Sequence, residues 1–400
     1  MDRIKVVWLC HLTNSVLNKH YNMDVDICAY WMTQFLDIIK NESLDLHVVA
    51  PNYYMAKDEN FMLGNTHFHL YKCHSKFGNS KTALVECALW SNRLQNKIAR
   101  IINSINPDVI HLFGAENVTY SQGVIPFLGL NNVVLTLQGY IQLAEKQGGF
   151  LRQFSIGKRV KNEDIILKGI KHVTFADIED SSRNYYLRHY GGGKCHILNF
   201  PIKKTKINAA SVEKKYDVVF WGRVTVDKGV EDLIHAISIL KKKRPNISCL
   251  ILGGGAASYF EYLNSEIRRL DVMDNIEIAG FQKTNEDLFS KVSKARVYVL
   301  PTHFDAMPGS IRESMQMKLP VISYPVGDIP ILNKDRYSVM LAEYRNVRDL
   351  SICIEKLLSD SVLYNDLMNN AYKTVSEAVS EETIRQQFLD LYNNIILNKL

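Results

Sequence analysis

The chain has 400 residues, 46% hydrophobic and 22% charged, with a formal net charge of +6. This composition excludes a disordered chain, and the length exceeds one ordinary core and suits two domains of roughly 200 residues each. So small a positive excess argues against a nucleic-acid binder, which needs a strongly basic face.

Short apolar, β-branched runs alternate with helical patterns along the whole chain. In the first half the runs are residues 4–10, 46–50, 109–113, 133–137 and 172–176. In the second half they are 217–221, 247–252, 276–279, 297–300 and 321–324, with helices such as 89–102 and 230–242 between. Strands this apolar, separated by helices, predict parallel sheets covered on both faces. Two such series predict an α/β chain of two Rossmann-like domains. The break falls in 200–216, where a Pro and a Lys-rich, aperiodic stretch precede a fresh buried strand. The last helix, near 381–397, carries Ile384, Phe388, Leu391, Tyr392 and Ile395 at helical spacing.

Seven cysteines stand far apart, at 10, 28, 73, 87, 195, 249 and 353, with no C-x-x-C pair. They read as free thiols of a reducing cytoplasm rather than a zinc ribbon or a redox motif. The apolar run ending at His11 is short for a signal sequence and reads as a buried first strand. No stretch approaches about 18 apolar residues, so no membrane span is expected. Basic groups cluster at Lys158, Arg159 and Lys161, at Lys203, Lys204 and Lys206, and from Lys241 to Arg244. Each is either a solvated surface or a local anionic contact.

Two segments carry the chemistry. The strand 217–221 runs into Gly222-Arg223-Val224-Thr225-Val226-Asp227-Lys228-Gly229, and a helix follows. Gly222 permits a sharp turn, and Arg223 and Lys228 then stand at a strand's carboxyl end beside a helix amino terminus, where a diphosphate is held. The second segment leaves the strand 297–300 through Asp305-Ala306-Met307-Pro308-Gly309-Ser310 and enters a helix containing Glu313. Ser310 and Glu313 also make an S-x-x-E capping box, so Glu313 either binds ligand or caps its own helix. Asp24-Val25-Asp26 has the form of a D-x-D metal motif but precedes an amphipathic pattern, and reads as a helix start.

Taken together, the two segments resemble the group-1 (family 4) glycosyltransferases of the GT-B fold. That family carries G-R-x-x-x-x-K-G, then two acids eight positions apart, then a small-x-P-V-I segment. Here the last is Lys318-Leu319-Pro320-Val321-Ile322, continued by Val326-Gly327-Asp328-Ile329-Pro330. The resemblance implies two Rossmann-like domains facing across a cleft. The acceptor domain would be 1–203 and the nucleotide-sugar domain 204–382, with a closing helix, 383–400, packing back on the first. It implies a retaining, metal-independent transfer from a UDP- or GDP-sugar to a growing glycan or lipid-linked saccharide, with no cofactor. Arg223 and Lys228 would bind the diphosphate and Glu313 the ribose. Asp305 would lie near the transferred sugar, where the family has a Glu longer by about 1.5 Å. Phe281 would lie near the base, with Gly222, Gly253, Met307, Pro308, Gly309 and Ser310 completing the donor site. On the acceptor side, Asp108-Val109-Ile110-His111-Leu112-Phe113-Gly114-Ala115-Glu116 resembles D-I-I-H-x-x-G-T-E of bacterial polysaccharide transferases. His111 and Glu116 would face the cleft, His111 among the catalytic groups, with Asn14 and Gln138 nearby. A lipid-linked acceptor implies peripheral contact with anionic membrane at the inner face, through the basic run 158–161. Two rival readings stay open: a sugar-nucleotide epimerase of the same architecture, and an inactive binding subunit.

Overall fold

The computed structural model describes residues 3–11, 30–40, 44–52, 57–73, 91–143, 150–202 and 207–397. The apolar runs become parallel strands, and the chain divides into two units. The first comprises Met1–Pro201 with Val379–Leu400, and the second Ile202–Ala378.

In the first unit the strands are β1 (Ile4–Leu9), β2 (Leu44–Asn52), β3 (Glu59–Leu63), β4 (Thr66–Lys72), β5 (Val109–Phe113), β6 (Val133–Thr136), β7 (His172–Phe175) and β8 (Lys194–Ile197). They form one sheet in the order β3-β4-β2-β1-β5-β6-β7-β8, parallel except for β3. Helices α1 (Tyr30–Ile39), α2 (Ser91–Ile105), α3 (Phe150–Gly169) and α4 (Ser181–His189) connect the strands. One face packs Ile98 and Ile102 of α2 and Ile166 and Leu167 of α3. The other packs Met32 and Phe35 of α1 and Phe388 and Tyr392 of the last helix, α11 (Glu381–Leu397). A sheet covered on both faces explains why β1 and β5 are nearly all apolar.

The second unit has β9 (Tyr216–Trp221), β10 (Cys249–Leu252), β11 (Ile276–Gly280), β12 (Ala295–Leu300), β13 (Val321–Ser323) and β14 (Met340–Leu341). Their order, β11-β10-β9-β12-β13-β14, is the 3-2-1-4-5-6 order of a doubly wound sheet. Helices α5 (Val230–Lys241), α6 (Ala257–Arg269), α7 (Asn285–Val292), α8 (Gly309–Gln316), α9 (Val347–Ser359) and α10 (Ser361–Ser376) flank it. In this order the strand sequence reverses between the parallel neighbours β9 and β12, and ligands bind outside the carboxyl ends there. Both sequence segments singled out above leave these two strands.

The expected strands differ from the observed ones mainly at their ends. The antiparallel partner β3, its neighbour β4 and the edge strands β8 and β14 lay outside the expected runs. No residue of β3 or β8 is buried, and β4 alternates buried Thr66, Phe68 and Leu70 with half-buried histidines.

Candidate active site

The loop after β9 is shaped by close backbone approach. Gly253, leaving β10, has φ +143°, and a Cβ there would lie 1.7 Å from the Gly222 carbonyl oxygen. No side chain fits. Gly222 N donates to Leu252 O at 3.1 Å, and Val224 N donates to Gly254 O at 2.8 Å. The Phe281 ring, 56% exposed, lies beside this turn. The β9 loop continues through a tight turn to Gly229, whose φ is +67° and whose Cβ would lie 1.8 Å from Pro301 O. His303 N and Thr302 Oγ1 donate to Asp227 O at 2.7 and 3.0 Å. The loops after β9 and β12 are therefore tied together by backbone contacts.

Those contacts bring Lys228 to Asp305. The Lys228 ammonium is bonded to the Asp305 carboxylate, and the two side chains are only 12% and 19% exposed. Arg223 is different: its guanidinium is 67% exposed and lies 3.5 Å from Asp227. Lys228 is thus held in a mostly buried pair, while Arg223 pairs loosely with Asp227 and faces solvent.

The two helix starts at this edge also differ. Helix α5 carries Glu231 and Asp232 in its first turn, and Asp232 accepts from Tyr324 Oη at 2.9 Å, with His303 Nε2 also 2.9 Å away. These acids already complement the α5 dipole. Helix α8 begins after Pro308 with no acidic residue in its first turn and no side-chain cap. Its amino terminus is the one suited to an anion, with Gly309 exposed and Met307 and Ser310 half-buried beside it. The capping-box reading of Ser310 and Glu313 is corrected. Ser310 lies inside α8 rather than at its N-cap, and its hydroxyl is 2.8 Å from Tyr298 Oη. Glu313 sits half-buried one turn on. Sequence reasoning missed the pairing of Lys228 with Asp305 and the Asp232–His303–Tyr324 cluster, because their members are distant in the chain.

In the first unit the acceptor-side candidates separate. His111 is fully buried, with Nδ1 2.9 Å from Tyr392 Oη and Nε2 2.6 Å from Thr136 Oγ1. Trp8 Nε1 donates to the same Tyr392 hydroxyl at 2.8 Å. Burial holds the imidazole well below its ordinary pKa, hence neutral at pH 7. The expectation that His111 faces a ligand is corrected: both ring nitrogens serve the core and the docking of α11. Glu116 folds back over Gly114, whose Cβ would lie 2.7 Å from its carboxylate. Burial raises the Glu116 pKa, with Arg159 opposing. Nearby Glu163 accepts from Ile141 N at 2.9 Å, and burial, reinforced by Glu116, pushes its pKa up to about 7. Arg159 donates through Nε to Glu116 O at 2.9 Å. The basic run 158–161 is therefore not one outward patch, because its central guanidinium turns inward while Lys158 and Lys161 are exposed. Gln138 is half-buried after β6. Asn14, the Asp24–Asp26 segment and Lys203, Lys204 and Lys206 lie outside the described residues. The described cysteines, Cys10, Cys73, Cys195, Cys249 and Cys353, are free thiols. Among the described residues no helix is long and apolar enough to cross a membrane.

A cationic loop, an uncapped helix start and a carboxylate meet at the switch point of a doubly wound sheet, an arrangement suited to an anionic ligand. Residues 202–374, nearly the whole of the second unit, match the family described as "Glycosyl transferases group 1". Among curated proteins the chain is similar to alpha-D-kanosaminyltransferase of Streptomyces kanamyceticus, 24% identical over 48% of this chain and 50% of that one. It is also similar to the capsular polysaccharide biosynthesis glycosyltransferase CapM of Staphylococcus aureus, 23% identical over 52% and 55%. The match thus spans about half the length of these relatives. Among solved structures the fold matches sucrose-phosphate synthase from Thermosynechococcus elongatus, with a TM-score of 0.77 and 15% identity over 99% and 100% of the two chains. It also matches HepE of Anabaena in complex with UDP-glucose, with a TM-score of 0.68 and 14% identity over 98% and 100%. The fold is that of the GT-B glycosyltransferases.

Proposed function

We propose that the chain is a hexosyltransferase-type glycosyltransferase that moves a sugar from a UDP- or GDP-sugar, with retention and without a metal ion, to a growing glycan or lipid-linked saccharide of a surface polysaccharide. The observation that carries this reading is the junction of Arg223, the Lys228–Asp305 pair and the α8 amino terminus at one switch point. The family of residues 202–374 and the UDP-glucose complex of HepE support the choice of donor.

In this reading the donor's diphosphate displaces Asp305 as the counter-ion of Lys228 and takes the exposed guanidinium of Arg223. Negative charge grows on the bridging oxygen as the sugar–phosphate bond breaks. Preplaced cations and N–H dipoles gain strength with that charge and so act on the transition state. Asp305, released from Lys228, is left near the transferred sugar, and Glu313 holds the ribose. The acceptor side is assigned to the first unit near Glu116 and Gln138. The enzyme works at the cytoplasmic face, where its thiols stay reduced.

The test is a thermal-shift panel of UDP- and GDP-sugars in excess chelator, followed by turnover with the stabilising donor and membrane-extracted acceptors. A donor at a hundred times its dissociation constant stabilises by about 2.7 kcal/mol. Product forming at the same rate with chelator and with magnesium supports the proposal. Activity that chelator abolishes and magnesium restores refutes the metal-free mechanism, and no stabilisation by any UDP- or GDP-sugar refutes the donor assignment.

A further inference from the structure

On β2 and β4 the side chains of Asp45 and His47, and of His67 and His69, are half-buried between buried neighbours and share one face of the sheet. Parallel pairing sets His47 directly beside His67, with Asp45 two residues before His47. The two rings stack at 4.5 Å with an angle of 11°. Asp45 Oδ1 lies 3.2 Å from His47 Nε2 and 3.6 Å from His67 Nε2. All three atoms lie within 4.8 Å of one another.

A hydrogen-bond relay sets the tautomer of His47. His69 Nδ1 donates to Asn60 Oδ1 at 2.9 Å, which leaves His69 Nε2 as an acceptor. His47 Nδ1 donates to it at 2.9 Å. The lone pair of His47 thus resides on Nε2, a buried atom that makes no hydrogen bond although Asp45 is beside it. A lone pair and a carboxylate oxygen in such contact repel unless a proton or a metal cation lies between them.

We propose that Asp45, His47 and His67 bind a divalent cation of the zinc class, with His69 and Asn60 orienting His47 from behind. Ligand atoms about 2.0–2.1 Å from a tetrahedral centre stand roughly 3.3 Å apart, close to the 3.2 and 3.6 Å that separate Asp45 from the two rings; the stacked rings themselves must tilt toward each other for both Nε2 lone pairs to meet at one ion. The other ring nitrogen of a metal-bound histidine is held by an outer partner, and the relay through His69 provides it. Asp45 and His67 are 31% and 36% exposed, so an ion reaches the site from solvent and a fourth position stays open. Bound there, the metal clips β2 to β4. A second cluster, Glu231, His235 and Glu266, is comparably tight, but Arg269 already donates to Glu266 at 2.9 Å and Tyr262 to Glu231 at 2.5 Å. Its carboxylates are occupied, and it carries no such lone-pair conflict.

The full chain is stripped with chelator and titrated with Zn²⁺ by calorimetry, beside Asp45→Asn, His67→Gln, His69→Ala and Glu266→Gln, with a thermal melt confirming that each is folded. Wild type takes up one tight equivalent that raises its melting temperature. Asp45→Asn and His67→Gln weaken binding by roughly 100-fold or more, and His69→Ala by about tenfold. Glu266→Gln leaves it unchanged. Binding no tighter than about 10 μM in the wild type, or tight binding that Asp45→Asn and His67→Gln leave intact, overturns the proposal.

Discussion

Replacing Asp305 by Asn tests whether Lys228 is the diphosphate ligand or a structural residue. The ammonium is 12% exposed and its partner is Asp305, so a diphosphate that takes Lys228 must first displace that carboxylate. A hydrogen bond to a charged group contributes about 1.5–3 kcal/mol. Asparagine keeps the shape and removes the competing charge, so UDP or GDP, whichever binds the wild type, binds the variant roughly 10–100-fold more tightly. The same change leaves a mostly buried ammonium without a counter-ion, and the ligand-free variant loses about 1–3 kcal/mol of stability. Turnover falls, because the carboxylate assigned to the sugar is gone. Calorimetric titration of both proteins measures the affinity, and Asp305→Asn in a Lys228→Gln background shows no gain if the effect runs through that pair. Unchanged or weaker nucleotide affinity in a folded Asp305→Asn variant refutes the reasoning: Lys228 would then serve only to tie the loops after β9 and β12.

Arg223 is exposed, so Arg223→Ala costs under about 0.5 kcal/mol of stability. Its turnover number falls roughly 10²–10³-fold and Arg223→Lys does not restore it, because one point charge does not replace a fork on two phosphate oxygens; near-normal initial rates in either variant refute this role. Glu163 is held protonated to higher pH in the fold than in the unfolded chain, so its contribution to stability is full below the ordinary carboxylate range and is lost as pH rises through about 7. Glu163→Gln removes that loss, on the order of 3 kcal/mol; melts across pH 4 to 8 should agree at the acid end and favour the variant at the alkaline end, and parallel curves would count against it.

The central strands were legible because their burial is two-sided. Val109, Ile110, Leu112 and Phe113 meet protein on both faces, so the sequence shows an unbroken apolar run whatever the neighbours are. That same property hid the role of His111. On a strand buried on both faces, period-two alternation does not distinguish core from ligand side. What decides the matter is Tyr392, 281 residues away on α11. The glycines were legible for the opposite reason: Gly253 and Gly229 answer to backbone approach within the site itself, and no other residue fits.

The pairing of Lys228 with Asp305 depends on order rather than on pattern. Each residue announces a loop at a strand's carboxyl end, but only the 3-2-1-4 placement of β9 beside β12 makes the two loops neighbours across 77 residues. The histidines of β2 and β4 show the same limit. His67-Phe68-His69 carries no apolar run, and nothing in it points to Asp45 and His47 until parallel register sets the two pairs side by side. In both places the residue types are local information and the charge balance is not. A cation held in a mostly buried pair binds anions by exchanging its carboxylate, whereas one in a loose, exposed pair gives up little to do so. Arg223 and Lys228, five positions apart in one motif, therefore make unequal demands on an arriving diphosphate.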